Sequence, residues 1–399
     1  MKQRYLYIGN IIPNDELDNR FHVEKATYLA QKGMIEAISK QTEDLYVLSY
    51  PQLLSFPKSK IVWLKGETML INGVKYKRLS SLNLPLLRII YRNIAYLCLI
   101  IKWCFKTNDS HTRLHIIQYN VSSPSLIVTL VGRLFRNTDV SAFLYDLGMP
   151  PSSYKLSKAK KIAYKLIDIQ AKWLIRRLDY SFAINNHVID AYSSPRKSII
   201  IDGGISNDVL KRLPLPDNRD KSKFILLIAG NLTETNGIKM LLDASKQIHD
   251  KDIEFWFAGR GNMLDDIKMQ AKIDNRIVYK GFLSTDELFY VYSCVNVLLN
   301  LRLMPENEGQ NLFPSKLLEY LVTGREVITT NFAHVEKEYG EICYVLKENT
   351  LECLVDYIQQ IKNNKKEIRG NKSQKYMMNT HTWDAQITQV INFINVERL

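Results

Sequence analysis

Lys316 and Glu319 lie three residues apart where the sequence predicts the start of a helix. Pro314 and Ser315 suit the first helical positions and Gly324 suits a left-handed stop, so we expect a helix of about ten residues. The free N–H groups at a helix start favour an anion, and Lys316 would add a positive charge there. Glu319 would follow on the same face and accept hydrogen bonds. The pair can thus hold a diphosphate next to a hydroxyl-bearing group, and a nucleotide sugar carries both.

The same segment also fits a simpler structure, a capped amphipathic helix whose Lys316 and Glu319 form a solvated pair. The elements that must position the pair favour the ligand site. Four segments are predicted to be strands of a parallel sheet, at 224–229, 253–258, 276–279 and 295–299, and the first is a continuous apolar run. A glycine follows each of the first three, at Gly230, Gly259 and Gly281. Because ligands of such sheets bind outside the carboxyl ends of the strands, we expect these loops to meet the helix at one site.

Four segments carry a resemblance to a known family: AGNLTETNGIKMLLDA, FAGRGNML, IVYKGFLSTDELFYVYSCVNVLLN and FPSKLLEYLVTGREVITT. In this order and spacing they resemble the donor half of retaining glycosyltransferase family 4, in the group 1 class. The resemblance covers about residues 200 to 395. It implies an α/β protein of the GT-B fold, with two Rossmann-like domains whose parallel sheets face across a cleft. It also implies that the C-terminal domain holds a nucleotide-diphosphate sugar and that transfer retains the anomeric configuration.

The resemblance gives Lys316 and Glu319 catalytic roles, and Glu319 matches the glutamate usually assigned to the donor ribose. The first glutamate of the family's pair falls on Asn311, and either Glu306 or Glu308 in the preceding loop could supply that carboxylate. We predict donor contacts at Gly9, Gly230, Asn231, Gly259, Arg260, Gly261, Phe282, Leu283, Asn311, Ser315 and Leu317.

The cations that meet the diphosphate in the family are absent from their usual positions. Asn231 and Asn236 stand where the family has a basic pair. Lys316 then becomes the best candidate for the charge that balances the phosphates. Arg260 and Arg302 are near enough in sequence to substitute.

A further carboxylate follows a predicted strand of the N-terminal half. The run Val140 to Leu144 leads into Asp146, which precedes a loop with Gly148 and two prolines. Asp146 at such a strand end is a catalytic candidate that would contact the acceptor or the surroundings of the departing diphosphate. A turn-forming aspartate is the alternative.

Length and cysteine usage set the broad class. A chain of 399 residues exceeds the ~250 to 300 at which a single core stops growing. We therefore predict an acceptor-side domain at 1–205, a nucleotide-sugar domain at 206–375, and a C-terminal helix at 376–399 that returns to the first domain. Five cysteines without a Cys-x-x-Cys motif argue against a disulfide framework or a zinc site. The N-terminus lacks a signal-peptide pattern and no paired-aspartate motif is evident, so we expect a cytoplasmic protein without metal or cofactor.

Charge is distributed unevenly along the chain. Residues 1 to 200 hold 29 Lys and Arg against 14 Asp and Glu, a net of +15, whereas residues 201 to 399 have a net of −2. A basic helix predicted from Tyr154 to Arg177 could lie on an anionic bilayer, or its apolar side could join the core. The apolar segment from Leu84 to Phe105 is interrupted by charges and is too short in its uncharged run to span a membrane. Nucleic acid fits less well, because no recognition motif accompanies the charge.

These observations lead to one leading hypothesis and two alternatives. The first is a retaining glycosyltransferase that moves a sugar from a nucleotide-diphosphate donor to a lipid-linked glycan precursor, as in capsule, exopolysaccharide or O-antigen assembly. It would work on the inner face of the plasma membrane as a peripheral protein. The second is a non-catalytic GT-B partner that binds glycan or another transferase. The third is a sugar-nucleotide epimerase of the same fold.

Overall fold

The computed structural model describes residues 2–11, 25–50, 53–54, 56–85, 87–107, 111–121, 123–135, 137–145, 147, 157–192, 197–303 and 315–396. These residues form two compact units. The first comprises the described residues up to Ser206 together with those from Trp383 onward, and the second comprises those from Asn207 to Thr382. The units thus divide one residue after the predicted boundary at 205. The chain re-enters the first unit at Trp383, seven residues after the predicted start at 376.

The first unit is built on a sheet of eight strands. Ten strands occur here in chain order: β1 (Lys2–Gly9), β2 (Leu45–Ser49), β3 (Trp63–Leu64), β4 (Glu67–Ile71), β5 (Val74–Arg78), β6 (Ser81–Leu82), β7 (Thr112–Tyr119), β8 (Thr138–Leu144), β9 (Tyr180–Ala183) and β10 (Ser198–Ile200). The sheet order is β10-β9-β8-β7-β1-β2-β5-β4. Only β4 runs antiparallel to its neighbour, while β3 and β6 form a separate antiparallel pair.

Five helices connect these strands: α1 (Lys25–Gln41), α2 (Leu87–Thr107), α3 (Ser123–Gly132), α4 (Lys158–Ile175) and α5 (Asn186–Tyr192). The predicted apolar segment at 84–105 forms α2 and the predicted basic helix forms α4, which Ser157 caps by accepting from the Lys160 N–H. Among the described residues, no helix combines the length and the hydropathy needed to cross a bilayer.

The second unit has a six-stranded parallel sheet in the order β13-β12-β11-β14-β15-β16. Its strands are β11 (Phe224–Asn231), β12 (Ile253–Arg260), β13 (Ile277–Tyr279), β14 (Val297–Asn300), β15 (Glu326–Thr329) and β16 (Tyr344–Val345). Its helices are α6 (Asn207–Leu210), α7 (Ile238–Gln247), α8 (Leu264–Ala271), α9 (Thr285–Cys294), α10 (Ser315–Leu321), α11 (Val335–Tyr339), α12 (Leu351–Lys362) and α13 (Gly370–Thr380).

Local sequence explains these elements. The continuous apolar run of β11 is buried on both faces, as a central parallel strand between two helix layers requires, whereas β12 alternates buried residues with the partly buried Glu254 and Trp256. A capping box of Ser284 and Glu287 fixes the start of α9. Gly324 takes a φ of +78°, which confirms the predicted left-handed stop after α10. The helix itself is shorter than predicted, because α10 closes at Leu321 and a turn fills the residues before Gly324.

The last helix, α14 (Trp383–Val396), belongs to the core of the first unit. Trp383 is only 4% exposed, and two glycines make room for its indole. A Cβ atom on Gly33 would lie 2.0 Å from the indole, and one on Gly204 would lie 2.3 Å from it. Lys40 on α1 also pairs with Asp384 at 2.7 Å. The C-terminal helix thus fills a slot that the rest of the first unit leaves for it.

Replacing Trp383 by alanine should therefore destabilise the first unit strongly. Removing a large buried aromatic side chain typically costs about 3–5 kcal/mol, since both its burial and its packing contacts are lost. Chemical denaturation followed by circular dichroism would measure the free energy of unfolding. Trp63→Ala is the matched control, since Trp63 is 53% exposed. Equal losses for the two variants would show that α14 does not stabilise the unit in this way.

Candidate functional site

A pocket of about 280 Å³ lies at the carboxyl ends of the central strands of the second unit. Its size is close to the lower end of the ~300–1,000 Å³ of small-molecule sites. Ten residues from five elements line it: Ala229, Gly230, Asn231, Ala258, Gly259, Arg260, Phe282, Leu283, Leu288 and Lys316. The pocket therefore lies where a doubly wound parallel sheet binds its ligands.

Backbone approach at the ends of β11 and β12 shapes the floor of the pocket. Gly230 pairs in register with Gly259, and the Gly259 N–H donates to the Gly281 carbonyl at 2.8 Å. Gly259 has a φ of +130°, and a Cβ atom there would lie 1.9 Å from the Gly230 carbonyl oxygen. A Cβ atom on Gly261 would lie 2.1 Å from the Leu232 carbonyl oxygen. Glycines at these two positions are required for the loops to meet.

Gly230 and Gly259 offer a matched pair of substitutions. Both have φ near +130°, but a Cβ atom on Gly230 would have no atom within 4 Å. Gly230→Ala should cost only the backbone strain, on the order of 1–3 kcal/mol. Gly259→Ala should cost more, because its methyl group also collides with the Gly230 carbonyl. Urea unfolding of both variants would measure the difference, and equal stabilities would contradict this account of the pocket floor.

A hydrogen-bond network joins Lys316, Glu319 and Tyr292 at the side of the pocket. The Lys316 ammonium donates to Glu319 Oε1 at 2.8 Å and to the Tyr292 hydroxyl at 2.7 Å. Tyr292 in turn donates to Glu319 Oε1 at 2.7 Å. An ammonium has three N–H donors, and these two bonds leave one for a ligand in the pocket that Lys316 lines. Burial raises the pKa of Tyr292, and the Glu319 carboxylate adds to the effect, so this hydroxyl stays protonated.

A second tyrosine fixes the end of β11 beside this network. The Tyr320 hydroxyl accepts from the Ala229 N–H and donates to the Ala229 carbonyl, both at 3.1 Å. Its ring meets that of Tyr292 edge to face, with centroids 5.6 Å apart. Lys316 lies over both rings, at 5.2 and 5.5 Å. The two tyrosines therefore hold α10 against the strand end from which the pocket opens.

Arg260 and Phe282 line the pocket from the neighbouring loops. The guanidinium of Arg260 lies over the Phe282 ring at 4.2 Å, a cation–π contact, and the ring is 65% exposed. Arg260 is therefore a second cation that lines the pocket. Arg302 does not line it. Arg302 follows β14, and its neighbour Leu303 donates to the Thr235 carbonyl in the β11–α7 loop at 2.8 Å. Burial lowers the pKa of the Arg302 guanidinium.

The two asparagines that replace the family's basic pair have different surroundings. Asn231 is exposed and lines the pocket. Asn236 lies on a 3-10 turn, Glu234–Asn236, and its amide donates to the Asn231 carbonyl at 2.7 Å. Asn236 thus fixes the loop after β11.

Seven of the predicted site residues come together at this pocket: Gly230, Asn231, Gly259, Arg260, Phe282, Leu283 and Lys316. Glu319 joins them through the network with Lys316, and Gly261 supports the floor. Ser315 is exposed at the first position of α10, whereas the Leu317 side chain is fully buried, so that only its backbone is left for a ligand. Gly9 lies in the first unit, where a Cβ atom would collide with the Gln31 side chain. Asp146, Asn311, Glu306 and Glu308 lie outside the described residues.

Sequence reasoning missed Tyr292, Tyr320 and Leu288. All three are apolar or aromatic positions on helices whose pattern predicts core packing. Leu288 lines the pocket. The Tyr320 hydroxyl forms hydrogen bonds with Ala229, and the Tyr292 hydroxyl donates to Glu319. The signal that could have drawn attention to them is a hydroxyl on a buried helical residue, because such a group needs a partner.

Comparison with known proteins gives one family match. The family described as "Glycosyl transferases group 1" matches residues 223–364, which contain β11 to α12 and the whole pocket. No curated protein gives a significant sequence match. The family match supports a glycosyltransferase, and it covers the strand ends and α10 on which the sequence prediction depended.

Solved structures of similar fold extend over almost the whole chain. The sucrose-phosphate synthase of Thermosynechococcus elongatus is 13% identical and has a TM-score of 0.63, with 98% of each chain covered. Anabaena HepE, solved in complex with UDP, is 11% identical at a TM-score of 0.64, covering 98% of this chain and 100% of that one. The lipopolysaccharide outer core galactosyltransferase WaaB is 12% identical at a TM-score of 0.65, with 99% of each chain covered. At these identities the likeness concerns the fold, and it confirms the predicted GT-B class.

Proposed function

We propose that the protein transfers a sugar from a nucleotide-diphosphate donor to a lipid-linked glycan precursor. The match of residues 223–364 in its second unit to the group 1 glycosyltransferases supports this proposal. The hydroxyl oxygen of the acceptor would bond to the anomeric carbon of the sugar. The bond from that carbon to the diphosphate oxygen would break, the nucleoside diphosphate would leave with the electron pair, and the acceptor's hydroxyl proton would pass to the departing diphosphate or to water. Retention of configuration follows from the resemblance to family 4.

The single observation that carries the proposal is the position of the Lys316 network beside the glycine-floored pocket. The Lys316 ammonium is held by hydrogen bonds of 2.7 and 2.8 Å to Tyr292 and Glu319, so its positive charge has a fixed position beside the pocket. Such preorganised charge stabilises a leaving group that becomes more negative as its bond breaks. Glu319 would accept hydrogen bonds from sugar hydroxyls. HepE is solved with UDP and with UDP-glucose, which supports a nucleotide-sugar ligand for this fold.

The charge of the diphosphate is proposed to be balanced by Lys316 and Arg260, the two cations among the described residues that line the pocket. Backbone N–H groups of the glycine loops would add further donors. Asn231 keeps a neutral donor at the position where the family has a cation. No metal is expected in this scheme.

Substitution of Asn231 tests whether the pocket already has enough positive charge. Asn231 is exposed, so Asn231→Arg should leave the fold intact. Donor affinity should change by less than about tenfold, or about 1.4 kcal/mol, because Lys316 and Arg260 already line the pocket and would balance the phosphates. Isothermal titration with sugar nucleotides would measure it. A gain of several orders of magnitude would show that the native pocket lacks charge and would favour a binding protein without transferase activity.

Lys316→Ala and Glu319→Gln test the enzyme hypothesis directly. Loss of a charge-assisted hydrogen bond costs about 1.5–3 kcal/mol, or roughly ten- to a hundredfold. Lys316→Ala should lower turnover more than donor binding, because its charge matters most as the diphosphate departs. Glu319→Gln should weaken donor binding and turnover together. Transfer of labelled sugar into a lipid-extractable product is the measurement, and the anomeric configuration of the product tests retention.

Tyr292→Phe is the matched control, since it keeps the buried ring and removes only the hydroxyl between the two charges. It should lower activity less than Lys316→Ala, and circular dichroism should show all three variants folded. Full-rate transfer by both Lys316→Ala and Glu319→Gln would remove these residues from the site. If the wild type transfers no sugar from any nucleotide donor, the non-catalytic GT-B partner becomes the better description, as the two asparagines suggest.

A further inference from the structure

Three helices of the first unit form one layer over its sheet. The connections through α2, α3 and α4 all advance across the sheet in the same direction, and right-handed crossovers place them on the same face. Phe105 at the end of α2 meets Phe135 after α3 edge to face, with centroids 5.2 Å apart. Arg133 after α3 donates to the Arg177 carbonyl after α4 at 2.8 Å. The outer sides of the three helices are therefore neighbouring surfaces.

The outer side of α4 is apolar. Ala171, Leu174 and Ile175 are the residues by which the helix is buried. Ile162, Leu166 and Ile169 are 60%, 62% and 63% exposed, and Trp173 continues their row at 41%. The spacing of these four residues is four, three and four, which keeps them on one side of a helix. That side lies opposite the buried one, so α4 carries one apolar stripe for the core and a second stripe that the first unit leaves uncovered.

Lysines flank the exposed stripe of α4. Lys158, Lys161 and Lys165 are exposed and repeat at intervals of three and four, so they form a row next to the aliphatic side chains. Arg177 lies over the Trp173 ring at 3.6 Å and adds a cation at the end of the stripe. A helix with exposed aliphatic and indole groups beside a row of lysines has the composition of one that lies in a bilayer interface.

Helix α2 also carries an exposed apolar stripe. Leu87, Ile90, Ile94 and Phe105 are all about half exposed or more, and they fall on one side of the helix, away from buried Ile100. Trp63 on β3 lies beside the N-terminal end of α2, because its ring meets Tyr91 edge to face at 5.4 Å. Two leucines on and just after α3 are also exposed: Leu130 at 46% and Leu134 at 81%. Exposed apolar side chains thus occur on or just after all three helices of the layer.

We propose that this helix layer is a membrane-docking surface on which the exposed stripes of α2 and α4 insert into the interface of an anionic bilayer. The inference rests on the proposed function, in which the acceptor is lipid-linked, and it names the surface that would bring the enzyme to it. The aliphatic side chains enter the headgroup boundary while the lysines reach the phosphates. Binding then has an apolar part and an electrostatic part.

Charge decides between a bilayer and a second copy of the chain. A symmetric dimer through this layer would bring the lysine rows of two α4 helices together, and like charges at an interface oppose association. The centre of a protein interface is also poor in charged residues, whereas α4 alternates aliphatic residues with lysines. An anionic bilayer suits both kinds of residue, because its acyl boundary accepts the aliphatic side chains and its headgroups attract the lysines.

The experiment measures sedimentation of the full-length protein with vesicles of phosphatidylcholine alone or mixed with phosphatidylglycerol. The wild type should bind the anionic vesicles more tightly. Raising the salt from about 0.1 M to 1 M shortens the screening length from ~10 to ~3 Å, so binding should weaken but not vanish, because insertion is not screened.

Two triple variants separate the apolar contribution to vesicle binding from the electrostatic one. Ile162→Ser, Leu166→Ser and Ile169→Ser together should weaken binding at least tenfold and abolish what remains at high salt. Lys158→Gln, Lys161→Gln and Lys165→Gln should remove the preference for anionic vesicles. Both should stay folded, since the replaced side chains are exposed. Matched controls in the second unit should bind as the wild type does: Ile273→Ser with Ile368→Ser, and Lys211→Gln with Lys251→Gln and Lys375→Gln.

Equal binding of the wild type to neutral and anionic vesicles would overturn the proposal, as would unchanged binding of the serine variant. A dimer in solution that the serine variant dissociates would identify a second copy as the occupant instead. Sugar transfer is read separately. Vesicle binding without transfer from any donor would refute the proposed function and leave the docking surface in place. Transfer to a soluble acceptor without vesicle binding would refute the docking surface and leave the transferase activity in place.

Discussion

The close approach of the β11 and β12 strand ends is the constraint on which the second unit depends. Two parallel strands, buried on both faces, reach the edge of the sheet in register, and the backbone of one lies against the carbonyl of the other at Gly230 and Gly259. Because Gly259 has no side chain, the two strand ends can approach closely, and the pocket lies next to them at the sheet edge. Everything else at the site is arranged around that opening: Arg260 and Phe282 on one side and Lys316 on the other.

The charged groups of the site are held by aromatic residues. Tyr292 joins the Lys316 ammonium and the Glu319 carboxylate through its hydroxyl, and Tyr320 ties the same helix to Ala229. A short helix of seven residues has little stability of its own, so these contacts are what position Lys316. The arrangement makes the ammonium less mobile than a surface lysine. It also explains how a site with asparagines at two basic positions can still present directed charge.

The two units differ in charge and in surface. The second unit carries the pocket and is close to neutral, whereas the first carries the whole positive excess and an uncovered apolar helix layer. A division of this kind suits the proposed function, in which the donor is a soluble nucleotide sugar and the acceptor is anchored in a membrane.

The sequence alone was enough to predict the strands and glycine loops of the second unit and the GT-B fold class. The continuous apolar run 224–229 is too short for a typical helix and favours a buried strand, and the glycine that follows marks its end, because both signals are local. Tertiary structure decided which side chains meet. Tyr292 reaches Lys316 only because α9 packs on α10, and the direction of Leu317 into the core depends on the same packing. In α4 the sequence shows apolar residues on more than one side, and only the sheet beneath it decides that Leu174 is buried while Leu166 is exposed. Burial is a property of the neighbours of a residue, and those neighbours are distant in the chain.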